Sequence, residues 1–86
     1  MNHPRVFADF HNADTEGRLR LNCIGTIEDL ARHHIELKDG QLLTLYSEGV
    51  EVDGTVQYSD MEKMWVATID WEQIRQVEDL TVQARS

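Results

Sequence analysis

Residues 50–58 read Val-Glu-Val-Asp-Gly-Thr-Val-Gln-Tyr, and apolar residues occupy every second position apart from the glycine. An alternation of period two places apolar side chains on one face of a β-strand and polar side chains on the other. Gly54 lies inside this alternation, so it either bends one strand or forms a tight Asp53-Gly54 turn between two short strands. We favour one bent strand, because the apolar residues keep their phase across the glycine.

Four other segments have the composition of β-strands, and they are residues 5–10, 18–22, 41–46 and 64–71. Each is rich in apolar and β-prone residues, and residues 18–22 alternate strictly between leucine and polar side chains. The loop 11–17 is polar and closed by a glycine, which is typical of a connection between strands. We therefore predict that the first two strands pair as a hairpin.

The segment 26–33 changes to a helical period. Thr26 is a good N-cap, and the carboxylates of Glu28 and Asp29 would lie in the first turn, where the helix dipole favours them. Apolar side chains at helical spacing predict one buried face, formed by Ile27, Leu30 and Ala31. We expect a helix of two turns that ends near His33.

About five strands, bent at glycines and accompanied by one short helix, predict a mainly β fold, a small, partly open antiparallel barrel of SH3-like type. An OB-like barrel is the alternative, although such barrels usually carry their helix between the third and fourth strands, and here it follows the second. The sequence contains no repeat and no linker. We therefore expect residues 1–86 to form a single domain whose C-terminal end frays from about residue 79.

The chain has 16 acidic residues against 8 basic ones, a formal net charge of −8, and 41% hydrophobic residues, which is typical of a globular protein. No apolar run approaches the roughly 18 residues that cross a bilayer, and the N-terminal residues lack the apolar core of a secretory signal. The single cysteine, Cys23, has no partner for an internal disulfide and fits a reducing compartment. These features predict a cytoplasmic protein without a membrane partner.

Several short motifs extend over most of the chain: Asp9-Phe10, Gly17-Arg18, Gly25-Thr26 with Asp29-Leu30, Leu43-Thr44-Leu45-Tyr46, Gly54-Thr55-Val56, and Trp65-Val66-Ala67 with Asp70-Trp71. Together they resemble an uncharacterised family of small bacterial proteins with no assigned function. The resemblance implies a stand-alone bacterial domain. It contains no catalytic signature, so it assigns no role to any residue.

Aromatic residues are the strongest candidates for a binding function. Trp65 and Trp71 share one strand phase, and Tyr46 and Tyr58 lie on neighbouring segments. Such residues form either a core, a dimer interface or an exposed groove that takes an extended peptide. We predict a non-catalytic protein-interaction or regulatory module without a cofactor, which binds a protein partner, or a second copy of itself as a homodimer, while the acidic surface attracts basic partners.

A metal-binding or enzymatic protein is the first alternative. His11, His33, His34 and Asp9 supply ligand types that zinc accepts. Adjacent histidines diverge on a helix and point to opposite faces of a strand, so His33 and His34 would not chelate one ion together. The pattern therefore does not predict a metal site.

A nucleic-acid-binding barrel is the second alternative. Arg5, Arg18 and Arg20 would lie close together on the predicted first hairpin and could contact phosphates. A net charge of −8 repels a polyanion and removes the electrostatic steering that nucleic-acid binders use. We therefore expect these arginines to pair with carboxylates across strands instead.

Overall fold

The computed structural model of the protein describes residues 3–77, which form one curled β-sheet and one α-helix. The elements occur in this order along the chain: β1 (Arg5–Phe7), β2 (Leu19–Arg20), α1 (Ile24–Arg32), β3 (Leu42–Ser47), β4 (Val50–Ser59), β5 (Met64–Ile69), a 3₁₀ turn (Trp71–Gln73) and β6 (Arg75–Gln76). The prediction of a mainly β fold with one short helix is confirmed.

The strands follow the order β1-β3-β4-β5-β2, and β6 pairs with the start of β4. Every pair is antiparallel except β1 with β3, which is parallel. The segment that follows β1 runs along the free edge of β2. There Ala13 forms an antiparallel β-bridge with Leu19, and the Arg20 amide donates to the Asn12 carbonyl over 2.9 Å. The sheet therefore curls into an open half-barrel, which confirms the small, partly open barrel.

The predicted hairpin of residues 5–10 with residues 18–22 is wrong, because β1 pairs with β3 and β2 pairs with β5. A smaller turn forms instead around Asp14, whose Oδ1 accepts hydrogen bonds from the backbone amides of Glu16 and Arg18 over 2.9 and 2.8 Å. Alternation identifies a half-buried strand but not its partner. The prediction of a polar loop at residues 11–17 is therefore correct, whereas the prediction that it joins two paired strands is wrong.

Strand β4 runs without a break through Gly54, as the preserved phase predicted. Its first half pairs with β3 and its second half with β5. A Cβ atom at Gly54 would lie 2.9 Å from Leu45 Cδ1 and 3.0 Å from Ile69 Cγ2. The glycine therefore lets the two neighbouring strands bring their side chains close together over the bent strand.

The core lies on the inner face of the curled sheet. Its buried members come from the five strands β1 to β5 and from the segments that follow β1 and β2, and they are Val6, Ala8, Leu19, Leu21, Leu43, Leu45, Val52, Val56 and Ala67. Around this set pack partly buried side chains that include Phe10, Leu30, Trp65 and Ile69. The core is small, as expected for a chain of this length.

Helix α1 begins two residues earlier than predicted, after Cys23, and ends before His33 as expected. The expected buried face is wrong at two of its three residues, because Ile27 is 55% exposed and Ala31 is exposed, whereas Leu30 packs against the core. The fully buried helix positions are the polar residues Thr26 and Asp29. The helix packs against the edge of β1, where backbone polar groups require hydrogen-bonding partners. Its polar side therefore faces inward.

The last predicted strand ends at Ile69 rather than at Trp71, and a 3₁₀ turn over Trp71–Gln73 follows it. Asp70 caps this turn by accepting the Glu72 amide over 3.0 Å. The predicted fraying from residue 79 lies outside the described residues. Among residues 3–77, no helix has the length and apolarity that a membrane span requires.

Candidate functional site

The six aromatic side chains meet in three edge-to-face pairs, which are Phe7 with Tyr46, Phe10 with Trp71, and Tyr58 with Trp65. The fold therefore brings together two of the predicted binding residues, Tyr58 and Trp65. It places Tyr46 and Trp71 in separate pairs with aromatic partners that the sequence did not single out. The four residues accordingly occupy three places rather than one groove.

Tyr58 and Trp65 are directly opposite each other on β4 and β5, with ring centroids 5.2 Å apart and planes at 80°. The preceding pair on the same face, Val56 and Ala67, is fully buried. Tyr58 is nevertheless 41% exposed, because the β4–β5 hairpin extends beyond the core. We call Tyr58 and Trp65 the hairpin aromatic pair.

The surroundings of the hairpin aromatic pair are apolar at one point and carry charges of both signs at others. The turn that joins the strands carries Met61, which is 83% exposed, together with the exposed residues Asp60 and Lys63. On the other side, the carboxylate of Asp39 accepts the backbone amide of Tyr58 over 2.9 Å. This bond completes the edge of β4 where β3 has ended.

Trp71 has its polar atom engaged within the protein. The indole Nε1 donates to the carbonyl oxygen of Gly17 over 2.8 Å, and the ring packs on Phe10 with centroids 6.5 Å apart. The Gly17 residue itself has a φ of +79°, which a glycine adopts at little cost. Trp71 therefore fastens the 3₁₀ turn to the loop around Asp14.

Tyr46 is part of a hydrogen-bonded network that ties α1 to the sheet. Its hydroxyl donates to Asp29 Oδ2 over 2.6 Å, and the same oxygen accepts the Phe7 amide over 2.9 Å. The hydroxyl of Thr26 donates to the Phe7 carbonyl over 2.6 Å. We call Thr26, Asp29, Phe7 and Tyr46 the polar clamp, because the helix satisfies both backbone groups of Phe7 at the edge of β1.

The ionisation of the polar clamp follows from these bonds. Burial acts to raise the pKa of Asp29, but hydrogen bonds from Tyr46 and Phe7 and the charge of Arg32 outweigh it, so that the pKa lies below its ordinary value. The bond to Asp29, with burial, raises the pKa of Tyr46. The clamp therefore contains a carboxylate and a protonated phenol at neutral pH.

The polar clamp was not found from the sequence, which placed Asp29 in the first helical turn. The available signal was a pair of polar residues, Thr26 and Asp29, three positions apart on a helix whose opposite face is apolar. Such spacing puts both side chains on one face. It does not reveal which backbone lies opposite.

A cavity of about 350 Å³ lies beside the polar clamp, and its lining residues are Pro4, Arg5, His33, Ile35 and Tyr46. The Arg5 guanidinium carbon stands 4.4 Å from the centre of the Tyr46 ring, within the distance of a cation–π contact. The cavity thus combines one fixed cation and one imidazole with apolar walls. Of the residues proposed for binding or metal ligation, Tyr46 and His33 meet here.

The four candidate metal ligands do not form a cluster. The side chain of His11 is fully exposed and its Nδ1 lies 3.7 Å from Asp9, whereas His33 lines the cavity and His34 follows the helix in a left-handed conformation with φ of +55°. Throughout residues 3–77, no group of three or more His, Cys, Asp or Glu side chains is placed to hold a metal ion.

The three arginines considered for phosphate contacts lie apart, on β1 and around β2 at opposite ends of the sheet order. Each has a carboxylate partner: Arg5 with Glu51, Arg18 with Asp14, and Arg20 with Glu62. Only the Arg5–Glu51 pair joins two strands, β1 and β4, because Asp14 lies in the loop before β2 and Glu62 lies in the β4–β5 turn. The expected carboxylate partners are therefore present, but they do not lie on neighbouring strands. The single basic patch on which the nucleic-acid alternative depended is therefore absent among the described residues.

Comparison of the chain with known protein families, with curated proteins and with solved structures finds no match. The resemblance to uncharacterised bacterial proteins stays a prediction.

Proposed function

We propose that the protein is a non-catalytic interaction module of the cytoplasm that binds an extended segment of a partner protein containing lysine or arginine. The contact surface is the hairpin aromatic pair together with Met61. The observation that carries the proposal is the position of Tyr58, which stands half exposed against Trp65 although its strand neighbours on the same face are buried. Aromatic and methionine side chains are enriched at protein interfaces.

Charge supports a cationic partner. Five of the seven described Lys and Arg side chains are paired with carboxylates, and the chain has twice as many acidic as basic residues. Among the described residues, Asp39 and Asp60 near the hairpin aromatic pair have no cationic partner, and the two lysines near them in the sequence, Lys38 and Lys63, have no carboxylate partner. The attraction of a basic segment therefore comes from the net charge of −8 of the whole chain, which accelerates its approach and lowers the affinity for acidic segments.

The geometry of the rings supports recognition of a single side chain. In an edge-to-face pair, part of each ring face is directed away from the other ring, and a cation over such a face is attracted by the π electrons. The strands hold both rings in place, so little conformational entropy is lost on binding. A lysine or arginine stem would pack on the apolar ring surface while its charge faces the carboxylates.

Tryptophan fluorescence tests this proposal in a Trp71→Phe background, where Trp65 is the only tryptophan in the sequence and is excited selectively at long wavelength. A short extended peptide containing lysine and arginine should change the emission saturably, with a Kd on the order of 10 to 100 μM that rises with salt. The same peptide with glutamate at the basic positions should produce no saturable change. Equal responses to the two peptides would contradict the proposal.

Two variants locate the contact. Tyr58→Ala should weaken peptide binding at least about tenfold, since it removes one ring and half of the cation site. Leu42→Ala is the matched control, because Leu42 is similarly exposed but lies outside the hairpin, and it should leave binding unchanged. If Tyr58→Ala binds as tightly as the reference protein, the hairpin aromatic pair is not the contact surface.

A second copy of the chain is the other partner that the sequence suggested. Light scattering over a concentration series separates the two, because the module should scatter as a 10.0 kDa monomer and a homodimer at twice that mass. A dimer that dissociates on Tyr58→Ala would assign the hairpin aromatic pair to self-association rather than to a foreign segment.

A further inference from the structure

We infer that the cavity beside the polar clamp is a binding site for a small organic carboxylate with a flat apolar body. This site is separate from the hairpin aromatic pair and does not depend on the proposed function. Its volume of about 350 Å³ lies at the lower end of the range for small-molecule sites. The class of ligand follows from the donors and walls that line it.

Arg5 is the arginine with the most hydrogen-bonding capacity to spare. The other four described arginines each have a carboxylate oxygen within 3.0 Å, whereas the nearest to Arg5 is Glu51 Oε1 at 3.5 Å. Glu51 already accepts a shorter bond from Arg75, at 3.0 Å on its other oxygen. The planar fork of Arg5 can therefore exchange this weak contact for two bonds to an incoming carboxylate.

The guanidinium is also held in position before any ligand arrives. It stands over the Tyr46 ring, and that ring is fixed from its other end by the bond from its hydroxyl to Asp29. A donor that is fixed in advance loses little entropy when it binds. The polar clamp thus orients the cavity through Tyr46.

The remaining lining residues determine which carboxylate fits. The exposed imidazole of His33, which makes no side-chain hydrogen bond within residues 3–77, can supply a further donor. Pro4 and Ile35 contribute apolar surface, against which a flat ring or short hydrocarbon chain removes its own surface from water. A bare inorganic anion would use the donors and leave this surface in water.

Two-dimensional NMR of the full chain, titrated with benzoate, tests the inference. Benzoate should shift the resonances of Arg5, His33 and Tyr46 saturably, with a Kd on the order of 1 mM. Benzamide has the same ring without the charge, and inorganic phosphate has charge without a ring, so each should bind at least about tenfold more weakly. Equal binding of benzamide or of phosphate would overturn the assignment, as would the absence of a saturable shift.

Substitutions identify the donor. Arg5→Gln should weaken benzoate binding at least about tenfold, and Arg5→Lys, which keeps the charge but not the fork, should weaken it to a smaller degree. Lys63→Gln is the matched control, because it removes one positive charge at an exposed residue that neither lines the cavity nor contacts Glu51, and it should leave benzoate binding unchanged. The site would be refuted if benzoate still bound after both changes at Arg5, or if Lys63→Gln weakened binding as much as Arg5→Gln.

Discussion

Two strand edges of the sheet, at β1 and at the end of β4, have no neighbouring strand, and their backbone groups are bonded in opposite ways. At β1, the polar clamp buries Thr26 and Asp29 so that both backbone groups of Phe7 are bonded. At the end of β4 the single carboxylate of Asp39 bonds the Tyr58 amide from solvent, and an aromatic ring stays exposed. The buried bonds at the first edge stabilise the fold, whereas the second edge leaves the Tyr58 ring accessible to solvent.

Removing the carboxylate of the polar clamp should lower the stability of the fold more than any of the changes that follow. Asp29→Ala leaves the Phe7 amide and the Tyr46 hydroxyl without their acceptor in a buried place, so we expect a loss of about 2 to 4 kcal/mol in the free energy of unfolding. Urea denaturation measures it. Glu28→Ala, on the exposed side of the same helix, is the control and should change stability by less than about 0.5 kcal/mol.

Acidification should weaken the polar clamp without any substitution. The pKa of Asp29, and likewise that of Asp14, is lower in the folded protein than its unfolded value near 3.8, so each carboxylate stabilises the fold above that pH. This stability is lost as the pH falls through the folded pKa values. Urea midpoints between neutral pH and about pH 3 should therefore fall more steeply for the wild type than for Asp29→Asn. Parallel pH profiles would contradict the role given to Asp29.

The second bond of the polar clamp should contribute less. Thr26→Val preserves the side-chain shape but leaves the Phe7 carbonyl without its donor, for an expected cost of about 1 to 2 kcal/mol. Thr55→Val on β4 is the matched control, since the Thr55 hydroxyl makes no hydrogen bond within the described chain. That change should be neutral or slightly stabilising, because valine favours strands. A neutral Thr26→Val would limit the clamp to Asp29.

The smallest effects on stability are expected at two residues that have a positive φ, one after α1 and one in the β4–β5 turn. His34 follows the helix with φ of +55°, and Lys63 closes the β4–β5 turn with φ of +58°, where glycine is the favoured residue. His34→Gly and Lys63→Gly should each raise the free energy of unfolding by about 0.5 to 1 kcal/mol in urea denaturation. If either change destabilises the protein, the replaced side chain makes a contact that stabilises the fold by more than the backbone strain that glycine removes.

The sequence predicted the features that depend on local spacing. The alternation in residues 50–58 predicted one strand through Gly54, and the period of residues 26–33 predicted a helix at nearly its observed place. It also selected Tyr58 and Trp65, although not as a pair. Each of these results follows from where a side chain points along a single element, which neighbouring residues determine.

The candidate sites were predicted less well because they depend on contacts between elements. Trp71 shares the phase of Trp65 in the sequence, yet the strand ends at Ile69 and the ring turns toward Phe10 and Gly17. Tyr46 was selected as an exposed anchor, whereas its hydroxyl belongs to the polar clamp. The environment of an aromatic ring depends on the groups of other elements that it packs against. The spacing of residues within one strand or helix does not identify those groups.

Sequence by itself determined the mainly β class, the single short helix, the acidic composition and the single strand through Gly54, since composition and periodicity act within one segment. Only the tertiary structure decided that β1 pairs with β3 and that α1 turns its polar side inward. Helix propensity and apolar spacing favoured the opposite orientation for α1. The observed orientation is the more stable one because the backbone groups of Phe7 need hydrogen bonds once they are buried. A buried polar group without a partner costs more free energy than an isoleucine exposed to water.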